Sequence, residues 1–270
     1  MHARPLTPHD VEPALALIAA RPYAHCFLAS LLESRRHADL VAVFDGGALV
    51  GLASIMANCV VSDLDAQTAA VLADHLVATH ARPAAVVGRQ SDVALLWKAI
   101  EGRWGEPRAR RVAQPLMVLA GAPAVTPDPL VRRSVPGDFD SLFPCCVDMF
   151  THEVGVSPVA HGMERAYRHR VRDAITSGRS FVRMDASGVV FKAELGATSS
   201  KACQVQGVWV RPDLRGSGIA APAMAAVAAA VLQDVAPAVE LYVNDFNLPA
   251  VRAYARAGFV QVDTLSTVFL

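Results

Sequence analysis

Apolar and polar residues follow two alternating periods along the chain, one typical of strands and one of helices. Residues 41–53 and 181–193 each have the pattern of an apolar strand, a turn that begins with Asp, and a second strand. The later pattern predicts further elements in the order strand, helix, strand, helix and a final strand pair, at 203–210, 217–234, 239–243, 249–257, and 259–262 with 265–269. Strands and helices mixed in this way predict an α/β or α+β fold around one sheet.

One segment interrupts this pattern near the middle of the chain. Residues 120–130 contain Pro123, Pro127 and Pro129 and show no periodicity. Since proline removes a backbone donor and restricts the residue before it, regular structure should stop here. We therefore predict an N-terminal domain over 1–119, a linker over 120–130 and a C-terminal domain over 131–270.

The two predicted domains open in the same way. Residues 4–10 and 132–138 place Arg, Pro and Asp at the same relative positions, and an apolar helical pattern follows each. Proline presets the first helical φ angle, and an early acidic residue suits the positive end of the helix dipole. Together with the two hairpins, this order indicates an internal duplication.

Composition narrows the classes of partner. Of the 270 residues, 53% are hydrophobic and 25 basic side chains balance 25 acidic ones, so no charge excess favours nucleic acid. No apolar run approaches the ~18 residues that a membrane span needs. The N-terminus has no signal-peptide pattern, so we expect a cytoplasmic protein. The five cysteines match no zinc spacing, and no metal is expected. The arginines between 103 and 111 are expected to lie in a solvated loop.

A glycine-containing loop between a strand and a helix carries the clearest chemical signal. The stretch Arg215-Gly216-Ser217-Gly218-Ile219-Ala220 directly precedes a helical pattern. Unpaired N–H groups and the helix dipole make such a loop a phosphate site, and Arg215 adds a positive charge. The loop lacks the Gly-Lys-Ser/Thr ending of nucleotide triphosphate sites and does not follow a first strand, so NAD and ATP fit poorly.

The same loop resembles the pyrophosphate-binding motif of the GNAT (GCN5-related N-acetyltransferase) superfamily, with Arg215, Gly218 and Ala220 in its key places. Downstream, Asn247 and Tyr254, followed by Gly-Phe, resemble the second signature of that superfamily. The resemblance implies tandem GNAT-like domains, each with a mostly antiparallel sheet flanked by helices. Residues 149–158, 191–196 and 203–210 also resemble an actinobacterial subfamily that pairs an uncharacterised N-terminal domain with a C-terminal GNAT domain.

By this resemblance the cofactor is acetyl-CoA, used as a co-substrate. The strand backbone would pair with its pantetheine arm, the loop amides would hold its pyrophosphate, and the next helix would contact it. The implied cofactor-binding residues are Val208, Trp209, Val210, Arg215, Gly216, Ser217, Gly218, Ile219, Ala220 and Asn247. The first half lacks such a loop, because residues 62–68 read Ser-Asp-Leu-Asp-Ala-Gln-Thr. We therefore expect the N-terminal domain to be a degenerate relative.

The implied reaction is acetyl transfer to a primary amine of a small molecule, peptide or protein. Tyr254 takes the general-acid position of the superfamily. Glu194, an isolated carboxylate in an apolar strand, is the first candidate for the general base, although it could instead pair with Lys192 or a nearby arginine. Glu153 and His152 are expected near the substrate, and either could act as the base, as could an ordered water. The alternative is a non-catalytic acyl-CoA sensor or interaction module, and a monomer or homodimer is expected.

Overall fold

The computed structural model describes all 270 residues. In its first half the elements are β1 (His2–Pro5), α1 (Val11–Ile18), α2 (Cys26–Glu33), β2 (Leu40–Asp45), β3 (Ala48–Ser54), β4 (Asn58–Ser62), α3 (Ala66–Ala78), β5 (Ala85–Arg89), α4 (Gln90–Trp104) and β6 (Ala109–Leu119). In its second half they are β7 (Arg132–Arg133), α5 (Phe139–Val154), α6 (Glu164–Thr176), β8 (Ser180–Asp185), β9 (Gly188–Thr198), β10 (Cys203–Val210), α7 (Ala220–Asp234), β11 (Val239–Tyr242), α8 (Leu248–Ala257) and β12 (Val260–Phe269). Every helix falls short of the length and hydrophobicity that a bilayer crossing requires.

All twelve strands form one continuous sheet, in the order β1-β2-β3-β4-β5-β12-β6-β11-β10-β9-β8-β7. Neighbouring strands run antiparallel except in two places, where β4 pairs with β5 and β10 pairs with β11 in parallel. The two parallel pairs occupy matching positions in the two halves. The fold is therefore mixed α/β with a mostly antiparallel sheet, as the sequence predicts.

The two halves exchange their last strands. β12, at the end of the chain, lies between β5 and β6 and pairs with β5 from Leu265↔Arg89 to Phe269↔Ala85. β6, the last strand before the proline-rich segment, pairs with β11 from Val239↔Leu119 to Tyr242↔Leu116. Each half thus completes the sheet of the other. The predicted boundaries at 119 and 131 fall between β6 and β7, so the linker lies between strands that belong to different parts of this sheet.

The openings of the two halves share one ion-pair geometry. Arg4 Nη1 and Nη2 donate to the Asp10 carboxylate at 2.7 and 2.9 Å, and Arg132 donates to Asp138 at the same two distances. Each aspartate also accepts a backbone N–H at 2.8 Å, three residues earlier. The arginine and these bonds hold the pKa of both aspartates below the usual range. The repeated sequence pattern therefore builds the same local structure twice.

Helices cover both faces of the sheet in each half. In the first half, α3 and α4 pack on one face around Leu72 and Leu96, and α1 and α2 pack on the other. In the second half, the largest core lies under α7 and α8, and α5 and α6 cover the opposite face. Met117 and Leu119 of β6 belong to the second core and Val268 of β12 belongs to the first. The strand exchange thus contributes buried side chains as well as hydrogen bonds.

Two expectations are corrected by the structure. The predicted strand pair 259–262 and 265–269 is the single strand β12, because two irregularities in its pairing with β6 absorb the polar break without reversing the chain. Asp263 at that break accepts from Arg89 at 2.8 Å. The arginines near residue 111 do not form a solvated loop. Arg108 and Arg111 donate to the carbonyls of Val154 and Glu153, both at 2.9 Å, and so cap the C-terminal end of α5.

The exchange predicts that neither half is stable alone. Separately expressed fragments 1–130 and 131–270 should each aggregate or unfold, because β5 loses β12, β11 loses β6, and both cores lose side chains. Co-expression should restore a folded complex, detected by a cooperative thermal transition and a dispersed amide NMR spectrum. A cooperative transition of either fragment by itself would contradict this prediction.

Candidate active site

The parallel strands β10 and β11 part and leave a cleft in the sheet. They pair only at Cys203↔Val239 and Gln204↔Glu240, although β10 continues to Val210. On its other edge, β11 stays paired with β6 as far as Tyr242. The cleft therefore has its closed end at Gln204 and Glu240 and opens toward the loop that follows β10. This is the crevice beyond parallel strand ends where α/β sheets bind ligands.

The predicted phosphate loop lies at the open end of the cleft. Gly216 and Gly218 have φ angles of +81° and +87°, and a Cβ on either would meet only open space. The backbone amides of Gly216, Gly218, Ile219 and Ala220 donate to no acceptor in the protein. α7 starts at Ala220 without a side-chain cap or an acidic residue in its first turn. Four unpaired N–H groups at a helix N-terminus fit a pyrophosphate.

The other loop residues are placed at the rim. Arg215 is exposed, and its Nε donates to the carbonyl of Val210 at 3.1 Å. Its remaining N–H groups have no acceptor in the protein, so they can reach an anion. Ser217 Oγ donates to the carbonyl of Leu214 at 2.6 Å, which braces the turn. The structure thus brings the loop residues together at one end of the cleft.

The matching place in the first half is closed. β4 and β5 pair at four positions, up to Val61↔Gly88, and a Cβ on Gly88 would lie 2.8 Å from the carbonyl oxygen of Val61. α3 begins with Asp65, whose Oδ1 accepts from the amides of Gln67 and Thr68 at 3.0 and 2.7 Å. A carboxylate therefore occupies the position that a phosphate would need.

β10 has a β-bulge in its pairing with β9, beside the cleft. Between Gln206↔Glu194 and Trp209↔Lys192, β10 contains one residue more than β9. Gly207 at the bulge has φ +60°, and a Cβ there would lie 3.1 Å from Met149 Cε and 3.3 Å from Lys192 Nζ. A side chain at this position would be strained at positive φ and would push on Met149 and Lys192. A bulge leaves backbone groups unpaired, as an oxyanion site requires.

Glu194, the first candidate base, is held in a buried ion pair beneath this bulge. Lys192 is fully buried and its Nζ donates to Glu194 Oε1 at 2.6 Å, while Arg170 Nη2 reaches Oε2 at 3.3 Å. Burial alone would raise the pKa of Glu194, but Lys192 and Arg170 outweigh it and lower the pKa. A carboxylate held ionised in this way accepts a proton poorly. The geometry supports a structural and electrostatic role for Glu194.

Glu153 has the properties that a general base needs. It is exposed at the C-terminal end of α5, and Arg111 fixes its backbone carbonyl. Crowding by the surrounding protein and the charge of Glu194 raise its pKa above the ordinary 4.5, although Lys192 and Arg111 oppose the shift. A raised pKa brings a carboxylate closer to the neutral range in which a base works best.

Tyr254 faces the same region from the opposite layer. It is 7% exposed, packs against Phe259 with ring centroids 6.2 Å apart, and its hydroxyl makes no hydrogen bond within the protein. Burial and the nearby Glu153 raise the pKa of Tyr254, so it stays protonated at neutral pH. Asn247 begins the same helix, and its Oδ1 accepts from the Ala250 amide at 3.3 Å. Tyr254 and Glu153 therefore lie close enough for the charge of Glu153 to affect the pKa of Tyr254.

Two predicted residues are engaged elsewhere. The Trp209 side chain lies in the core under α5 and α6 and its Nε1 donates to Asp148 Oδ2 at 2.8 Å, so only its backbone is free to face the cleft. His152 is exposed, and its Nδ1 lies 2.9 Å from the Asp148 carbonyl and 3.2 Å from Asp148 Oδ1 on the same helix. It contacts none of the other predicted residues.

Arg111 and Tyr242 also shape the site, although no sequence pattern predicted a role for either residue. Arg111 comes from β6 of the first half, so its contact with the end of α5 depends on the strand exchange. Tyr242 lies on β11 where the cleft opens, and burial with the charges of Glu240 and Glu153 raises its pKa to about 12. No cluster of three or more His, Cys, Asp or Glu side chains is arranged to ligate a metal ion.

Comparison with family models is consistent with this architecture. Residues 175–259 match the acetyltransferase (GNAT) family, and residues 38–142 match a domain of unknown function. The match to the domain of unknown function extends across the proline-rich segment into α5. A comparison with curated proteins finds no match.

Solved structures share the whole architecture at low sequence identity. A Drosophila protein is 14% identical with a TM-score of 0.69 and covers 99% of this chain and 98% of its own. A GCN5-related N-acetyltransferase from Sphaerobacter thermophilus is 19% identical, with a TM-score of 0.63 and coverages of 98% and 94%. A tandem GNAT protein from the clavulanic acid biosynthesis pathway is 16% identical, with a TM-score of 0.56 and coverages of 98% and 97%. The chain has a GNAT-like fold. The residues that match the GNAT family, 175–259, lie in its second half.

The bulge predicts that a side chain at position 207 lowers the stability of the protein. Gly207→Ala should lower the free energy of unfolding by about 2–4 kcal/mol, because the new Cβ is strained at positive φ and also contacts Met149 and Lys192. Gly188→Ala is the matched control, since Gly188 has φ +110° but no heavy atom within 4 Å of its Cβ position. It should cost about 1–2 kcal/mol. Equal costs in urea denaturation would mean that the close contact contributes nothing.

Proposed function

We propose that this protein is an acyl-CoA-dependent N-acetyltransferase, with the active site in the cleft between β10 and β11. The observation that carries the proposal is that one cleft combines three features. They are a loop with unpaired backbone amides, the separation of β10 from β11, and the proposed acid–base pair of Tyr254 and Glu153. The GNAT family match covers the loop, the cleft and Tyr254. The acceptor is a primary amine on a small molecule, peptide or protein.

The amides of the loop and Arg215 would hold the pyrophosphate, and the backbone of Val208 and Val210 would pair with the pantetheine arm. The loop is open, has no negative side chain in the first turn of α7, and leaves four N–H groups unpaired, so it fits the group. Backbone groups freed by the bulge near Gly207 would polarise the thioester carbonyl.

Direct attack in a ternary complex requires the acceptor ammonium to lose two protons and the departing sulfur to gain one. Glu153, with its raised pKa, would take the first proton, and the neutral amine nitrogen would then attack the thioester carbon. As the carbon–sulfur bond breaks, Tyr254 would give its hydroxyl proton to the departing thiolate, and the tyrosinate would recover a proton from the nitrogen, which becomes the amide N–H. Glu194 and Lys192 would hold the bulge and set the field around Glu153. The base is therefore proposed to be Glu153, in place of the earlier candidate Glu194.

A non-catalytic acyl-CoA sensor is the second candidate. It is favoured by the first half, where β4 and β5 stay paired and leave no cleft. That half has no anion loop and carries Asp65 at the corresponding helix start. The open cleft with Glu153 and Tyr254 favours an enzyme. The actinobacterial assignment belongs to the same proposal and rests on sequence resemblance and composition.

Substitution of the base tests the catalytic proposal. In a thiol-release assay with a panel of primary amines, activity should rise with pH as Glu153 loses its proton. Glu153→Gln should lower kcat about 100-fold or more and remove this dependence. Tyr254→Phe should also reduce kcat while acetyl-CoA binding persists. His152→Gln is the control and should leave both unchanged. Binding without turnover on any amine would favour the sensor.

Substitution in the loop tests the cofactor site. Gly218→Glu places a negative charge at the unpaired amides, as Asp65 does in the first half, and should weaken acetyl-CoA binding in calorimetry by about tenfold or more. Asp213→Glu is the control, because Asp213 lies in the same loop and already carries a negative charge. Unchanged affinity of the Gly218 variant would remove the assignment of the loop.

A further inference from the structure

A buried polar pair closes the inner end of the cleft. Gln204 and Glu240 are the last residues that join β10 to β11, and Gln204 Nε2 donates to Glu240 Oε1 at 2.8 Å. Glu240 is 1% exposed, and its second oxygen, Oε2, is buried without any hydrogen-bond partner. Tyr242 lies two residues further along β11, so its side chain is on the same face of the sheet, nearer the opening.

This carboxyl differs from the other buried acid of the GNAT domain. Glu194 has two cationic partners, whereas Glu240 has one neutral amide. Burial raises the pKa of Glu240 to about 8, and the bond from Gln204 opposes the shift only in part. At neutral pH the group is therefore mostly an uncharged acid with one polar atom unsatisfied. Buried polar atoms without partners are rare and call for a physical explanation.

The N-terminal half forms the wall behind this pair. Cys26 of α2 lies close enough to Glu240 for that carboxyl to contribute to its raised pKa, and it packs in a buried cluster with Val118, Ala202 and Ala238. Cys26 Sγ also lies 3.3 Å from the carbonyl of Ala202 in the GNAT domain. A group that entered past Gln204 and Glu240 would therefore meet packed protein.

The direction of the bound donor follows from where its phosphates would lie. The loop follows the C-terminal end of β10, so a chain that runs back along β10 from the loop points toward Gln204. Gln204 lies six positions before Val210, a distance of roughly 20 Å at the usual strand rise. The reactive end of a long extended co-substrate would thus lie near the bulge, with the closed end of the cleft just beyond it.

We propose that the Gln204–Glu240 pair closes the acyl end of the cleft and restricts the donor to acetyl-CoA or propionyl-CoA. This inference rests on the proposed function, because it needs acyl-CoA in the cleft. A long apolar acyl chain would cover the unpartnered Oε2 and the Gln204 amide without offering a hydrogen bond, and α2 would block its path. A two- or three-carbon acyl group ends before it reaches the pair.

Calorimetric binding of CoA, acetyl-CoA, butyryl-CoA and octanoyl-CoA to the full chain tests the proposal. Octanoyl-CoA should bind about tenfold or more weakly than acetyl-CoA. Glu240→Ala should reduce this difference, because it removes the unsatisfied carboxyl and leaves space. Glu240→Gln keeps the size and polarity, so it should preserve the difference. Thermal melting checks that each variant is folded.

The wild-type series alone can overturn the proposal if a variant does not fold. Equal affinity for acetyl-CoA and octanoyl-CoA would show that the pair does not limit the acyl chain, while the proposed function would stand. An unchanged chain-length preference in a folded Glu240→Ala variant would assign the limit to other residues and overturn the role of the pair. No binding of CoA or any acyl-CoA would remove the proposed function and this inference with it.

Discussion

The exchange of β6 and β12 is the constraint on which the rest of the structure depends. It merges two similar halves into one twelve-stranded sheet and gives each core side chains from the other half. Because β11 is held on one edge by β6, it can part from β10 on the other edge without becoming an isolated strand. A cleft through a sheet is otherwise expensive, since it leaves backbone groups without partners. The N-terminal half thus stabilises the opening in the second half.

The two halves show how one architecture is kept open or closed by few residues. In the second half, two pairs join the parallel strands, and a glycine loop with unpaired amides precedes the helix. In the first half, four pairs join them, and Asp65 satisfies the helix start. The Arg–Asp pairs that open both halves have the same geometry. What differs is the place where a ligand would bind, which explains why similar folds need not share an activity.

Electrostatics gives three acids of the second half different pKa shifts, although Glu194 and Glu240 are buried and Glu153 is exposed. Glu194 is ionised by Lys192 and Arg170, Glu153 is shifted toward neutrality by crowding, and Glu240 is shifted further by burial with one amide partner. These differences come from neighbours on α6, β6, β9 and β10, which are distant from each other in sequence. An isolated glutamate in an apolar strand indicates a special environment, but its protonation state depends on which charges fold against it.

The local pattern determined most of the fold class and the position of the glycine loop before α7. Strand and helix periods, the repeated Arg–Asp opening and the glycines at 216 and 218 act over a few residues, so they can be interpreted without knowing the fold. The strand exchange could not be predicted from the sequence, because the pairing of β12 with β5 joins residues about 180 positions apart and leaves no local period. The opposite pKa shifts of Glu153 and Glu194 also arise from the tertiary fold, because Lys192, Arg170 and Arg111 act on them only when the sheet brings these residues together. Sequence specified which chemical groups are present, and tertiary packing decided which of them are charged, paired or free to react.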